Sequence, residues 1–163
     1  PEARLLLKGS AFDDEERRGD IEKRLTAHGL PLARVTREGY TADYYAAYDR
    51  IDIALDSYPY PGGGTTCDAF YRGVPVVTRC GVHHHERFGF SLLKNLGLEE
   101  LAAPTPETYI AKAVALARDE ELLAALRSGL RGRMQASPVM DGAAYMRELE
   151  AGYERIWDER WKK

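Results

Sequence analysis

Short apolar runs alternate with longer amphipathic segments along most of this 163-residue chain. Apolar runs and strict apolar–polar alternation predict strands at residues 5–7, 32–36, 51–56 and 74–78. Apolar residues three and four apart, between breaks at Gly and Pro, predict helices at 13–28, 41–49, 65–71, 88–96, 106–118, 120–134 and 143–161. Strands that alternate with helical crossovers indicate an α/β fold with a Rossmann-like parallel sheet flanked by helices. A helical tail is expected from about residue 105 to 163.

Composition narrows the class of protein. The chain has 23 basic and 26 acidic residues, a net charge of -3 and 44% hydrophobic residues, so it can bury a core and lacks the basic character of nucleic-acid binders. No apolar run approaches the roughly 18 residues that span a bilayer, and no signal peptide is recognisable. We therefore expect one domain over residues 1–163 that binds neither nucleic acid nor membrane. Cys67 and Cys80 are expected to be unpaired thiols in a reducing compartment, which predicts a cytoplasmic protein.

The beginning of the chain is abrupt. The apolar run at 5–7 follows only a short polar segment, so the first predicted strand almost opens the sequence. A sheet that begins in this way is typical of a chain that has lost its preceding elements. We therefore expect a fragment of a longer polypeptide.

The chemically most unusual segment follows the strand predicted at 51–56. Three glycines at 62–64 allow a ligand to approach the backbone closely, and Thr65 and Thr66 are expected to cap the next helix. Free amides, hydroxyls and the positive end of the helix dipole together suit a phosphate group, although the spacing is neither Walker nor G-x-G-x-x-G. Asp68, expected in the first helical turn, could accept hydrogen bonds from a ribose. The alternative is a flexible turn with an ordinary capping threonine.

Three consecutive histidines precede Glu86 and Arg87 in the loop after the strand predicted at 74–78. Neighbouring histidines point in divergent directions, and zinc ligands are usually separated by roughly two to five residues, so metal binding is not expected. Two interpretations remain open. The segment is either a solvated loop or a contact for an anion or substrate, made by one histidine together with Arg87.

Aromatic residues cluster at 40–48. Tyr45 and Tyr48 are expected to pack within the protein, whereas Tyr40 or Tyr44 could stack on a nucleotide base. The two tryptophans of the last predicted helix are expected to serve packing and not to form a sugar platform.

Many short blocks in one order resemble the SPINDLY / O-linked N-acetylglucosamine transferase family. The resemblance runs from Leu5 to about Trp157, which is nearly the whole chain, and is more specific than a single glycine loop. The matching blocks are DIALD at 52–56, YPY at 58–60, GTTCDA at 64–69, GVPVVT at 73–78, HxxRxGxSLL at 84–93, GLxEL at 97–101, SP at 137–138 and LE at 149–150.

The resemblance implies the C-terminal, nucleotide-sugar-binding lobe of a two-lobed GT-B glycosyltransferase linked to tetratricopeptide repeats. It implies that the glycine and threonine residues at 63–66 hold the diphosphate, that Asp68 binds the ribose and that residues 39–44 line the base pocket. His84 and Arg87 would lie near the donor sugar or the diphosphate. The implied nucleotide-sugar-binding residues are Gly39, Tyr40, Tyr44, Gly63, Gly64, Thr65, Thr66, Asp68, His84 and Arg87.

The implied function is the donor-binding half of a protein O-glycosyltransferase. Such an enzyme would transfer N-acetylglucosamine from UDP-N-acetylglucosamine (UDP-GlcNAc) to Ser or Thr of acceptor proteins. The alternatives are O-fucosyl transfer from GDP-fucose, a non-catalytic nucleotide-sugar-binding module, and a structural module. The implied partners are the nucleotide sugar, an acceptor protein, and the N-terminal lobe and repeats of the same polypeptide. No metal or further cofactor is implied, no catalytic base is identified, and the chain alone is expected to be inactive.

Three features depart from the family pattern. Tyr44 stands where the family commonly has His, which bears on base recognition. Residues 61–66 replace a loop that often reads Asn-Gly-Thr-Thr-Thr-Thr, and the change removes hydroxyls from the phosphate site. The phosphate-contacting lysine of the family and its acceptor-binding lobe would both precede Leu5.

Overall fold

The computed structural model describes residues 3–161, and the chain divides into two compact units, Pro1–Ile51 and Asp52–Lys163. The expected single lobe over residues 1–163 stays a prediction. Across residues 3–161, the helices are all too short or too polar to cross a bilayer.

The first unit contains a parallel strand pair joined by a helix. β1 (Leu5–Lys8) pairs with β2 (Val35–Glu38), and α1 (Glu15–Ala27) lies between them in the chain. α1 begins where the Asp14 carboxylate accepts a hydrogen bond from the N–H of Arg17 at 2.8 Å. The helix is predominantly polar and buries none of its side chains, and it falls within the helix predicted at 13–28.

The second unit contains a parallel three-stranded sheet followed by a helical tail. β3 (Ala54–Leu55) and β5 (Ala102–Ala103) flank β4 (Val76–Arg79) on either side. Parallel strands with helical crossovers confirm the predicted α/β class. In chain order, the helices of this unit are α2 (Gly64–Tyr71), α3 (Phe88–Asn95), α4 (Pro106–Arg118), α5 (Glu120–Gln135) and α6 (Gly142–Trp161).

β4 lies at the centre of the hydrophobic core of the second unit. Its first three residues are fully buried, because α2, α3 and α4 all pack against this strand. Phe70 of α2, Leu93 of α3 and Leu130 of α5 are also fully buried. Each such side chain contributes about 1.5–3 kcal/mol by leaving water, so this core holds β4 and its C-terminal loop in place.

Three of the four predicted strands are shorter than the sequence pattern predicts, whereas the strand predicted at 5–7 extends to Lys8. The strand predicted at 51–56 is limited to β3, because its neighbour β4 begins only at Val76. The strand predicted at 32–36 is a 3-10 turn at Leu32–Arg34 followed by β2, and the helix predicted at 41–49 is a 3-10 helix at Tyr45–Arg50.

The apolar residues of α6 are largely exposed. Trp157 and Trp161 contact each other, with ring centroids 5.6 Å apart, yet they are 62% and 64% exposed. The prediction that they serve packing therefore holds only for their mutual contact. α6 lies against the 3-10 turn Pro138–Met140 and buries none of its residues.

α2 and α3 end at glycines with the same backbone geometry. Gly73 and Gly97 have φ angles of 77° and 66°, and each glycine and the residue after it donate their N–H groups to carbonyl oxygens near the end of the helix. Their surroundings differ. A Cβ at Gly73 would lie 2.6 Å from the carbonyl oxygen of Arg127 in α5, whereas a Cβ at Gly97 would meet no atom within 4 Å.

Substitution of these glycines should separate backbone strain from packing. We expect Gly97→Ala to lower the free energy of unfolding by about 1–2 kcal/mol, the cost of a left-handed residue with a Cβ. Gly73→Ala should cost about 1–3 kcal/mol more, because α2 and α5 must also move apart. Urea denaturation of both variants checks this, and equal losses would show that the α2–α5 contact is not tight.

Candidate functional site

Two loops leave the same edge of the sheet in the second unit. The glycine loop (residues 57–63) joins β3 to α2, and the histidine loop (residues 80–87) joins β4 to α3. Because β3 and β4 are parallel neighbours, both loops follow the carboxyl ends of their strands. This is the edge at which open α/β sheets bind ligands.

Asp56 holds the base of the glycine loop. Its Oδ1 accepts a hydrogen bond from the N–H of Gly62 at 2.7 Å, and its Oδ2 accepts one from the hydroxyl of Thr78 at 2.8 Å. Gly89 of α3 allows this arrangement, since a Cβ there would lie 2.5 Å from both Asp56 Oδ2 and Thr78 Oγ1. The carboxylate therefore joins a loop amide to the buried strand β4.

Asp56 is held through its main chain as well. Tyr109 of α4 donates its hydroxyl to the carbonyl oxygen of Asp56 at 3.0 Å. Burial raises the pKa of the Asp56 carboxyl above its usual range, although the hydrogen bonds from Gly62 and Thr78 oppose the change. Burial, together with the negative charge of Asp56, raises the pKa of Tyr109 to about 12.

The N-terminus of α2 is formed by glycines and not by a threonine cap. α2 begins at Gly64, and the N-cap position is occupied by Gly63, which has no side chain to accept a hydrogen bond. The prediction that Thr65 and Thr66 cap this helix is therefore wrong. Both hydroxyls point back towards Gly62, where a Cβ would lie 2.5 and 2.7 Å from them, and the buried Thr66 donates to the Gly62 carbonyl oxygen at 3.0 Å.

Two backbone amides at this helix end remain available. Gly63 and Gly64 are exposed, and within residues 3–161 neither of their N–H groups donates a hydrogen bond to the protein. The Gly62 amide differs, because Asp56 occupies it. The expected set of unpaired donors at the positive end of the helix is thus present at two positions.

The remaining predicted residues of α2 lie further from this end than expected. Asp68 is the fifth residue of the helix and half-buried, so its placement in the first turn is wrong. Thr65 is exposed, unlike Thr66. The roles of these residues in binding diphosphate and ribose stay predictions.

The histidine loop is organised around the buried carboxylate of Glu86. One oxygen accepts a hydrogen bond from the hydroxyl of Tyr58 in the glycine loop, and the other accepts one from the N–H of His83 at 2.9 Å. These two donors, that of Tyr58 first, lower the pKa of Glu86. The same contact with Glu86, together with burial, raises the pKa of Tyr58.

Two of the three histidine rings stack on each other, and the third contacts a phenylalanine. The rings of His83 and His85 are parallel, with centroids 5.8 Å apart, whereas His84 meets Phe88 edge to face at 5.2 Å. The exposed Arg87 donates to the carbonyl oxygen of Gly81 at 3.0 Å. Over residues 3–161, no cluster of three or more metal-ligating side chains occurs. The expected contact of His84 and Arg87 with a ligand stays a prediction.

The residues predicted to line a base pocket lie in the first unit. The N–H of Tyr40 donates to both carboxylate oxygens of Asp13, and a Cβ at Gly39 would collide with that carboxylate. The Tyr40 side chain is 70% exposed, and the rings of Tyr44 and Tyr45 stack with centroids 4.5 Å apart. Their role in base recognition stays a prediction. Tyr45, which was expected to pack, is 39% exposed.

Sequence patterns did not reveal four residues that organise the two loops, namely Asp56, Tyr58, Glu86 and Tyr109. Asp56 carried one indication, because it is a carboxylate between an apolar strand and a glycine-rich loop. The other three act across 28 or more residues of chain, and no local pattern records such contacts.

Comparisons with known proteins agree with the resemblance of the sequence blocks. Residues 37–149 match the family described as glycosyl transferase family 41. The chain is 39% identical over 160 residues to the "Probable UDP-N-acetylglucosamine--peptide N-acetylglucosaminyltransferase SPINDLY" of Solanum lycopersicum. It is 27% identical over 159 residues to the "UDP-N-acetylglucosamine--peptide N-acetylglucosaminyltransferase" of Caenorhabditis elegans. The solved structure of an O-GlcNAc transferase mutant from Thermobaculum terrenum matches with a TM-score of 0.89 at 36% identity.

The matches cover nearly all of this chain but only a small part of each similar protein. Each of the three covers 96% of this chain. In the other direction, the chain spans 17% of the Solanum protein, 14% of the Caenorhabditis protein and 31% of the solved chain.

The raised pKa of Tyr109, caused by burial and by the charge of Asp56, should make the stability of the fold depend on pH in the alkaline range. The folded chain holds the Tyr109 proton up to about pH 12, whereas the unfolded chain loses it near 10. The stabilisation is therefore complete below pH 10 and is lost as the pH rises through 12. We expect Tyr109→Phe to be about 1 kcal/mol less stable than the unmodified chain at pH 8, and this difference to shrink at pH 11.

Urea denaturation at both pH values measures the difference. The two proteins share every other tyrosine, so subtraction isolates Tyr109. A difference that is the same at pH 8 and pH 11 would contradict the assignment of the raised pKa to this residue.

Proposed function

The chain belongs to glycosyl transferase family 41, and from this we propose that it forms the donor-binding part of a protein O-glycosyltransferase. Relatives named as peptide N-acetylglucosaminyltransferases and the shared fold of a solved O-GlcNAc transferase support the proposal. Because the chain spans 17% of the Solanum relative, the proposal includes an acceptor-binding lobe and tetratricopeptide repeats supplied by a longer polypeptide.

The proposed donor is UDP-GlcNAc, and the proposed acceptor is a Ser or Thr hydroxyl of a protein. The names of the Solanum and Caenorhabditis relatives support this choice of nucleotide and sugar. GDP-fucose is the competing donor, and calorimetric titration separates the two.

The observation that carries the proposal is the glycine N-terminus of α2. The exposed N–H groups of Gly63 and Gly64 lie at the positive end of the helix dipole, on the ligand-binding edge of the sheet. Both residues lack a side chain, so an anion can approach the backbone directly. A diphosphate has the charge and the acceptor oxygens that such a helix end binds.

The chemistry of transfer explains why these amides matter. When the bond between the anomeric carbon and the diphosphate breaks, negative charge develops on the leaving phosphate oxygen. Amides held in position by Asp56 and by α2 stabilise that charge without reorganising during the reaction. The longer polypeptide would hold the acceptor hydroxyl in line with this bond.

The side chains around these amides have distinct proposed roles. Thr65, exposed beside them, would donate its hydroxyl to the diphosphate, and Asp68 would bind the ribose. Thr66 would contribute through the backbone, because its hydroxyl is bonded to Gly62. His84 and Arg87, both exposed on the histidine loop, would contact the sugar or the diphosphate.

Calorimetric titration tests the proposal and separates its alternatives. We expect the chain to bind UDP and UDP-GlcNAc and to bind GDP and GDP-fucose at least about tenfold more weakly. The reverse order would assign the fucosyl donor. Absence of binding by all four nucleotides would refute the proposed function and favour a structural module.

A glycine substitution tests whether the backbone of α2 is the binding element. A Cβ at Gly64 meets no atom within 4 Å, so Gly64→Ala should leave the thermal midpoint unchanged or raise it. It should nevertheless raise the Kd for UDP by about tenfold, because the methyl group obstructs the approach of the phosphate.

Gly132→Ala is the matched control for this variant. Gly132 lies in α5, and a Cβ there also meets no atom within 4 Å. Its substitution should leave UDP binding unchanged. Equal Kd values for the Gly64→Ala variant and the unmodified chain would place the phosphate elsewhere.

A further inference from the structure

We propose that Tyr58 and Glu86 are positioning residues that clamp the glycine loop to the histidine loop and thereby set the affinity for a nucleoside diphosphate. The inference rests on the proposed function, since it concerns the same site. Neither residue is assigned to that site by the family resemblance. Both lie in the second unit, and both act through the loops that they hold.

The central contact of the clamp is a single hydrogen bond between the loops. The Tyr58 hydroxyl donates to Oε1 of Glu86, whose other oxygen accepts the N–H of His83. Glu86 is only 7% exposed. A Cβ at Gly81 would collide with the Glu86 carboxylate, so the glycine leaves the space that this group fills. One buried carboxylate thus bonds to both loops.

Ring contacts reinforce this bond on either side. The Tyr60 ring of the glycine loop stacks on His85 of the histidine loop, with centroids 5.2 Å apart. The guanidinium of Arg79, at the end of β4, lies 3.8 Å from the centroid of the Tyr58 ring. The two loops therefore meet through two separate pairs of side chains, and a cation covers one of the rings.

Glu86 accepts the hydrogen bond from Tyr58 as a charged group. Donation from Tyr58 and from the His83 amide lowers the pKa of Glu86, so the group is ionised at neutral pH. A buried carboxylate that loses one of its donors is left partly unsatisfied, which is costly. The histidine loop consequently has a strong preference for the arrangement in which Tyr58 is in place.

The clamp matters for binding because the proposed ligand contacts are divided between the loops. The amides of Gly63 and Gly64 belong to the glycine loop and the start of α2, whereas His84 and Arg87 belong to the histidine loop. A diphosphate sugar that uses both sets must find both loops ordered. If the clamp already orders both loops before the ligand binds, the free energy of binding does not include that ordering cost, and the affinity is higher.

The test compares Tyr58→Phe, Glu86→Gln and the double variant by titration with UDP and with GDP. Tyr58→Phe deletes one hydroxyl from a ring that is 38% exposed, so no cavity forms; the donor lost to Glu86 should lower the thermal midpoint without unfolding the chain. Each single variant should raise the Kd of the nucleotide that binds by about fivefold. The double variant should bind as the Tyr58→Phe variant does, because the bond between the loops is already absent there and the glutamine oxygen can still accept the His83 N–H.

A measurement without nucleotide examines the clamp directly. The His83 amide donates to Glu86 in the histidine loop, and Tyr58 lies in the other loop. Hydrogen exchange at the His83 amide should therefore accelerate in Tyr58→Phe, although the substitution is on the opposite loop. Tyr145→Phe, which removes an exposed hydroxyl on α6, should change neither this exchange rate nor the Kd.

The outcomes separate this inference from the proposed function. Single variants whose effects on Kd multiply in the double variant, or a Tyr58→Phe variant that binds as the unmodified chain does, would overturn the clamp. Faster exchange at His83 with an unchanged Kd would also overturn it, since the coupling would then have no role in binding. Failure of the unmodified chain to bind either nucleotide would refute the proposed function itself, whatever the exchange at His83.

Discussion

The bond between the Asp56 carboxylate and the Gly62 amide is the contact on which the candidate site depends. It attaches the end of the glycine loop to Thr78 in the buried centre of β4, and it does so immediately before α2 begins. Burial of Asp56 is unfavourable for its charge, as the raised pKa shows, yet two donors and a glycine at position 89 accommodate it. The amides that follow in the chain are thereby held at the edge of the sheet without being used by the protein.

The two loops share one principle of organisation. Each is fixed by a carboxylate that accepts hydrogen bonds from protein donors, Asp56 for the glycine loop and Glu86 for the histidine loop. Negative charge near an anion site would weaken binding, but both carboxylates are directed at donors within the protein. The amides of Gly63 and Gly64 are left for a ligand, so the protein separates the donors that build the site from those that can bind.

The prediction from sequence was most accurate for the helices of the tail and less accurate for strands and side chains. The tail helix predicted at 106–118 has the same bounds as α4, since Pro106 and the apolar spacing are local features. By contrast, only two residues of the strand predicted at 51–56 form a ladder, because its length depends on where β4 begins. The sequence predicted Thr66 as a capping residue, yet its hydroxyl donates to the Gly62 carbonyl oxygen, and the missing side chain of Gly62 leaves the space for it.

By itself, the sequence determined the α/β class, the helical tail and the family resemblance, and it indicated the glycine segment that we propose binds a phosphate. These follow from periodicity and from the order of short motifs, which neighbouring residues encode. Only the tertiary structure decided which amides remain unused and which residues fix the loops. The Tyr58–Glu86 and Asp56–Tyr109 contacts join residues 28 and 53 positions apart. Such pairings arise when strands and helices pack, because packing, and not local pattern, brings distant donors to buried acceptors.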